Sequence, residues 1–214
     1  MKIILFGATG MVGQGVLREC LLDKGVSDVY AVGRNVTGQQ HHKLHEVMHR
    51  DFTDFSTLKL DADAIFWCLG ITSVGMSEPD YTRVTHDYTI AAAKALVRPM
   101  RTFIFVSGTG ADGEAMWARV KKRTEDALFA MPFQRVFVFR PGLIQPLHGI
   151  KSRTRIYNVL YPILYPFILV MKAVRPDSIT TTERVGQAML NVAKNGFPKT
   201  ILENPDINAA AGGV

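Results

Sequence analysis

The first thirteen residues restrict the fold more than any other stretch of the chain. Lys2-Ile3-Ile4-Leu5-Phe6 is a short apolar run suited to a strand buried on both faces, and it leads directly into Gly7-Ala8-Thr9-Gly10-Met11-Val12-Gly13. Residues 11–23 then carry apolar side chains at helical spacing, and a second strand-like run follows at 28–33. A glycine triplet spaced G-x-x-G-x-x-G inside a β-α-β unit gives each glycine a task. Gly7 allows the tight turn, Gly10 lets backbone approach a pyrophosphate, and Gly13 lets helix and strand pack closely. The helix N-terminus then offers free N–H groups and the positive end of its dipole to the phosphates. The loop reads as a dinucleotide-binding site made of Gly7, Ala8, Thr9, Gly10, Met11, Val12 and Gly13.

The same alternation continues to the end of the chain. Strands are expected near 2–6, 28–33, 43–49, 62–68, 102–107, 134–139 and 199–203, and helices near 11–23, 80–97, 114–130, 157–173 and 182–195. Runs such as Ala64-Ile65-Phe66-Trp67-Cys68 and Phe103-Ile104-Phe105-Val106 are apolar without interruption, as strands covered on both faces should be. The pattern predicts an α/β fold, a Rossmann-type doubly wound, mostly parallel sheet with helices on both faces. At 214 residues the chain suits one domain over 1–214, with 144–181 forming a substrate-covering or interface region. The tail from Asn208 to Val214 is expected to fray.

The second strand ends at Arg34 where an NAD site commonly carries an acid. A carboxylate there would hold a ribose 2′-hydroxyl and repel a 2′-phosphate, whereas a guanidinium can grip that phosphate with two hydrogen bonds. NADP(H) is therefore preferred over NAD(H). Asp51 and Phe52, after the third strand, are placed to bound the adenine. Cys68, Leu69 and Gly70, after the fourth, should run beside the ribose and pyrophosphate.

Other chemistries find less support. The net charge of +6 is spread over many elements and no nucleic-acid-reading motif accompanies it, so no nucleic-acid partner is expected. His41, His42, His45 and His49 cluster locally, yet His45 and His49 on one strand face would stand about 13 Å apart, and no metal site is expected. Asp112 reads as a cap for the helix that follows it. No leader is read at the N-terminus, and Cys20 and Cys68 read as free thiols, so a cytoplasmic setting is expected. The apolar run from Ile156 to Val174 contains Pro162 and Pro166, which argues against a spanning helix. A covering hairpin, with a homodimer interface left open, is the leading reading, and a peripheral membrane contact led by Lys151, Arg153 and Arg155 is the outside one.

Taken together, the glycine pattern, Cys68-Leu69-Gly70, Val106-Ser107-Gly108-Thr109-Gly110-Ala111-Asp112, Trp117-x-x-x-Lys121 and Phe139-Arg140-Pro141-Gly142 resemble the short-chain dehydrogenase/reductase superfamily, in particular its small, atypical, epimerase-like members. The resemblance covers nearly the whole chain. It implies that Ser107 positions a substrate oxygen, that Lys121 holds the nicotinamide ribose, and that Pro141 and Gly142 pass the nicotinamide. It also implies a tyrosine where this chain has Trp117, and an indole has neither a hydroxyl nor a useful titration. Three readings stay open: in the least favoured, Trp117 is only core packing and the motif alignment is shifted, and two others remain. One is an oxidoreductase acting on a small, partly apolar carbonyl or quinone-like substrate, its proton relayed by water, His86, Tyr88 or Tyr157. The other is a non-catalytic NADP(H)-binding sensor or scaffold, with Trp117 as a stacking lid.

Overall fold

A computed structural model describes residues 1–150 and 179–212. In chain order the elements are β1 (Lys2–Phe6), α1 (Met11–Leu22), β2 (Asp28–Gly33), β3 (Leu44–Met48), β4 (Ala64–Trp67), α2 (Glu78–Thr82), a π-helical turn (Arg83–Asp87) and α3 (Tyr88–Leu96). There follow β5 (Thr102–Val106), α4 (Met116–Phe129), β6 (Arg135–Arg140), β7 (Leu143–Gln145), β8 (Ile179–Thr181), α5 (Thr182–Asn195), β9 (Ile201–Glu203) and α6 (Asn204–Ala211). The main sheet has seven strands in the order β3-β2-β1-β4-β5-β6-β9, and every pairing in it is parallel. This is the expected doubly wound α/β fold.

Two cores explain the uninterrupted apolar strands. Side chains alternate across a strand, so Ile3 and Leu5 face one layer and Ile4 and Phe6 the other. The first layer packs Val16, Leu17 and Cys20 of α1 and Val185, Ala188 and Met189 of α5 against Phe66, Ile104 and Phe139. The second packs Ala92, Ala93 and Leu96 of α3 and Leu128 of α4 against Ile65, Trp67, Phe103 and Phe105. Helices α1 and α5 approach closely because Gly15 and Gly186 face each other's helix. A Cβ on Gly15 would stand 2.6 Å from Thr182, and one on Gly186 2.7 Å from Glu19.

Four expectations change. The tail does not fray from residue 208: α6 carries a capping box between Glu203 and Asp206, and Ile207 and Ala210 are buried in the first core. The helix expected at 80–97 starts at Glu78, where the Ser77 hydroxyl caps it, and widens into the π turn before α3. Asp112 does not cap α4, whose N-cap is Ala115; its carboxylate pairs with Arg140 at 3.1 Å instead. The short parallel pair β7 and β8 was not expected, and it joins the two ends of the 144–181 region side by side. The helix read at 157–173 lies outside the described residues. Among the described residues no helix is long and apolar enough to cross a membrane.

Candidate nucleotide-binding site

A cavity of about 940 Å³ opens at the carboxyl ends of β1, β2, β4, β5 and β6. It lies where the strand order reverses, between β1 with its neighbour β2 on one side and β4 on the other. The glycine loop forms its floor. Gly7 has φ +78°, and a Cβ there would meet the Cys68 and Leu69 backbone at 2.6 Å, so the turn is closed to other residues. A Cβ on Gly13 would stand 2.0 Å from the Gly7 carbonyl oxygen; Gly13 lets α1 sit on the loop and does not itself line the cavity. Gly10 is the N-cap of α1, no side chain caps it, and the first turn carries no acid. The end of α1 that borders the cavity is thus left with its donors for an anion.

Of the residues expected around the nucleotide, Gly7, Ala8, Thr9, Gly10, Met11, Val12, Arg34, Phe52, Cys68, Leu69, Gly70, Lys121, Pro141 and Gly142 all line this one cavity, as does Ser107. Asp51 does not. Its carboxylate accepts from the backbone N–H and hydroxyl of Thr53 at 2.9 and 2.6 Å, and these bonds hold it below the usual carboxylate range. Neighbours that the sequence did not single out complete the wall, among them Asn35, Thr37, Thr72 and Leu143. Among the described residues, the cations lining it are Arg34 and Lys121, and no lining residue is acidic. Arg34 is exposed and has no ion pair among the described residues.

The far end of the cavity departs from what the resemblance implies. Trp117 does not line it; its ring lies against Gly110, 3.6 Å from where a Cβ there would stand. The Ser107 hydroxyl donates to Oε1 of Glu125 at 2.5 Å. Glu125 is fully buried and is held by Arg140, whose Nη2 reaches Oε2 at 2.6 Å and whose Nε reaches Oε1 at 3.2 Å. Arg140 is itself buried and also faces Asp112 and Glu203 at 3.1 and 3.5 Å, and this company raises the pKa of its guanidinium. Sequence reading did not find Glu125, because its role depends on β6 lying beside α4 and not on any local motif. Lys121 is half-buried, 5.9 Å above the Phe105 ring centroid, with no hydrogen-bond acceptor among the described residues. Burial pushes its ammonium down to about 8 against the pull of Glu125.

The other proton carriers stand elsewhere. His86 approaches the Thr124 hydroxyl at 3.2 Å and burial lowers its pKa; Tyr88 packs beside Phe52; neither lines the cavity. Tyr157 lies outside the described residues. Burial raises the pKa of the Cys68 thiol, and Cys68 and Cys20 are both free. The histidines hold no metal constellation among the described residues: His45 pairs with Asp28 at 2.8 Å, and His49 stacks on Phe55.

No family model matches the sequence. Among curated proteins, the chain is 24% identical over 153 residues to "Protein FMP52, mitochondrial" of Chaetomium globosum, covering 66% of this chain and 65% of that protein. It is 28% identical over 150 residues to "Protein fmp52-2, mitochondrial" of Aspergillus oryzae, covering 65% of this chain and 66% of the relative. It is 28% identical over 152 residues to "Protein HTATIP2" of Rattus norvegicus, covering 67% and 62%. The match thus spans a little less than two thirds of these relatives' own length. The expectation of a cytoplasmic setting is contradicted by the fungal relatives, which are named mitochondrial. Among solved structures, an oxidoreductase of the short-chain dehydrogenase/reductase family from Burkholderia thailandensis matches with TM-score 0.70 and 15% identity, over 98% of this chain and 92% of that one. A UDP-glucuronic acid 4-epimerase from Bacillus cereus, in complex with NAD, matches with TM-score 0.70 and 15% identity over 95% and 78%. The chain therefore has a Rossmann-type, doubly wound α/β fold, like that of the short-chain dehydrogenase/reductase and of the NAD-bound epimerase.

Proposed function

We propose that the protein binds NADP(H) in the cavity and acts as an oxidoreductase on a small, partly apolar carbonyl or quinone-like compound. The observation that carries this reading is the cavity's charge. Among the described residues, Arg34 at the end of β2 has no ion pair, the N-terminus of α1 has no side-chain cap, and the cavity wall carries no carboxylate. The pyrophosphate would lie on the Gly7–Gly13 loop and the adenosine 2′-phosphate against Arg34, with Phe52 beside the adenine. Glu46, the acid across from Ala31 in the sheet, is engaged by the Thr37 backbone N–H and hydroxyl at 2.8 and 2.6 Å. Bound nicotinamide would supply hydride transfer at the Ser107 and Lys121 end, and the chain's part is to orient it and handle the proton. The names of the fungal relatives suggest a mitochondrial setting for this protein also.

The commitment of Ser107 to Glu125 favours a second reading, a nucleotide-binding protein without turnover. Titration with NADPH and NADH, followed by energy transfer from tryptophan, tests the first. NADPH should bind at least ten times tighter, about 1.4 kcal/mol. Arg34→Glu should remove that preference and leave NADH affinity nearly unchanged. Equal losses for both nucleotides would discard the 2′-phosphate role of Arg34. Tight binding with no reduction across a panel of aldehydes, ketones and quinones would leave the second reading standing.

A further inference from the structure

Among the described residues lining the cavity, Ser107, Cys68 and Lys121 each carry a proton to weigh, and two are already committed or out of range. The Ser107 hydrogen goes to Glu125, because an ionised carboxylate gripped by Arg140 can only accept. Ser107 therefore offers the cavity lone pairs and no hydrogen. Cys68 is shielded in its thiol form by burial. Lys121 is different. Its ammonium lines the cavity, 3.8 Å from where a Cβ on Gly108 would stand, and it has no acceptor among the described residues. The desolvation of this half-buried ammonium, with no hydrogen-bond acceptor among the described residues, is what lowers its pKa toward neutral.

We propose that the Lys121 ammonium is itself the proton donor of this site, taking the part that Trp117 cannot take. The inference rests on the nicotinamide reading given above. An N–H bond of Nζ breaks with its electron pair left on nitrogen, and an O–H bond forms on the substrate oxygen. A reduced nicotinamide, when bound, would supply the hydride that reduces the carbonyl carbon and would itself be oxidised. Water returns a proton to the neutral amine. Ser107, its hydrogen turned toward Glu125, accepts from the new hydroxyl and so fixes the oxygen. Glu125 is a positioning residue: it orients Ser107 and keeps Lys121 charged below its transition. Glu125 is itself paired with Arg140 on β6, which also faces Asp112 in the loop before α4 and Glu203 on β9. On α4 itself, Arg119 and Lys122 are paired with Glu78 and Asp126, away from the cavity.

Two measurements on the full chain test this. Trace acetylation with acetic anhydride across pH 6–11, read peptide by peptide by mass spectrometry, gives the half-protonation pH of each lysine. Lys121 should turn over near 8, with exposed lysines nearer 10.5, and NADPH should protect it. A half-point for Lys121 near 10.5 overturns the proposal. The second measurement is NADPH-dependent reduction of 4-nitrobenzaldehyde by wild type and Lys121→Arg. Arginine keeps the charge but does not release its proton. The variant should bind NADPH within a few-fold of wild type and lose about 100-fold in kcat. Wild-type kcat should fall as pH rises through 8. A Lys121→Arg enzyme with nearly normal kcat, or NADPH binding with no reduction by wild type, overturns the proton-donor role and leaves nucleotide binding standing. Absence of binding by either NADPH or NADH overturns the nucleotide reading and the proposal with it.

Discussion

Lys121 is a cost to the folded state as well as a chemical group. Its folded pKa lies below that of an unfolded lysine, so between about pH 8 and 10.5 the unfolded chain binds more protons and stability rises with pH. Below pH 8 the full penalty of burying the ammonium applies. Lys121→Met should therefore raise the denaturation midpoint at pH 7, and the gain should shrink as the pH approaches 10.5; urea titrations at several pH values check this. Gly13 is constrained by space. A Cβ 2.0 Å from the Gly7 oxygen cannot be housed without moving the loop off α1, so Gly13→Ala should cost about 3 kcal/mol and abolish nucleotide binding. Trp117→Tyr, by contrast, puts a phenol against Gly110 outside the cavity, and no gain in carbonyl reduction should follow.

At the scale of elements, the pair Glu125 and Arg140 joins α4 to the end of β6, directly behind the cavity. Both partners are buried, so removing one leaves an uncompensated charge. Glu125→Ala should destabilise by about 3 kcal/mol, near the lower end of the usual range because Asp112 and Glu203 still face Arg140. The double variant Glu125→Leu with Arg140→Met should recover much of that loss; a double-mutant cycle by denaturant titration measures it. Strands β7 and β8 act at the same scale. They set Leu143 opposite Ile179 and Gln145 opposite Thr181 at one edge of the cavity, where Leu143 and Ile144 form part of the wall.

For the whole molecule, the cavity belongs to the sheet order. Only because β4 lies next to β1, on the side away from β2, do the Gly7 loop and the Cys68 turn meet across one cleft, close enough that Gly7 must lack a side chain. A ligand that bridges this cleft binds the folded state alone. At 100 times its dissociation constant, NADPH should stabilise by about 2.7 kcal/mol and raise Tm by several degrees, which thermal scans with and without NADPH would show.

The sequence by itself determined the parts whose causes are local. The glycine triplet fixes a turn geometry, the doubly apolar runs fix buried parallel strands, and the helical spacing fixes α1, α4 and α5. These settled the fold class and assembled nearly all of the expected lining residues. Tertiary structure decided what depends on residues distant in the chain. Asp112 turned to Arg140, and the Ser107 hydroxyl to Glu125. The last helix formed because Ile207 and Ala210 find a core to enter, although their own segment looks weak. The charge around Ser107 and Lys121 was set by Glu125 and Arg140, fifteen residues apart and joined only when β6 lies beside α4. Spacing in a sequence records which way a side chain points along its own element; which partner meets it there is decided by the packing of another.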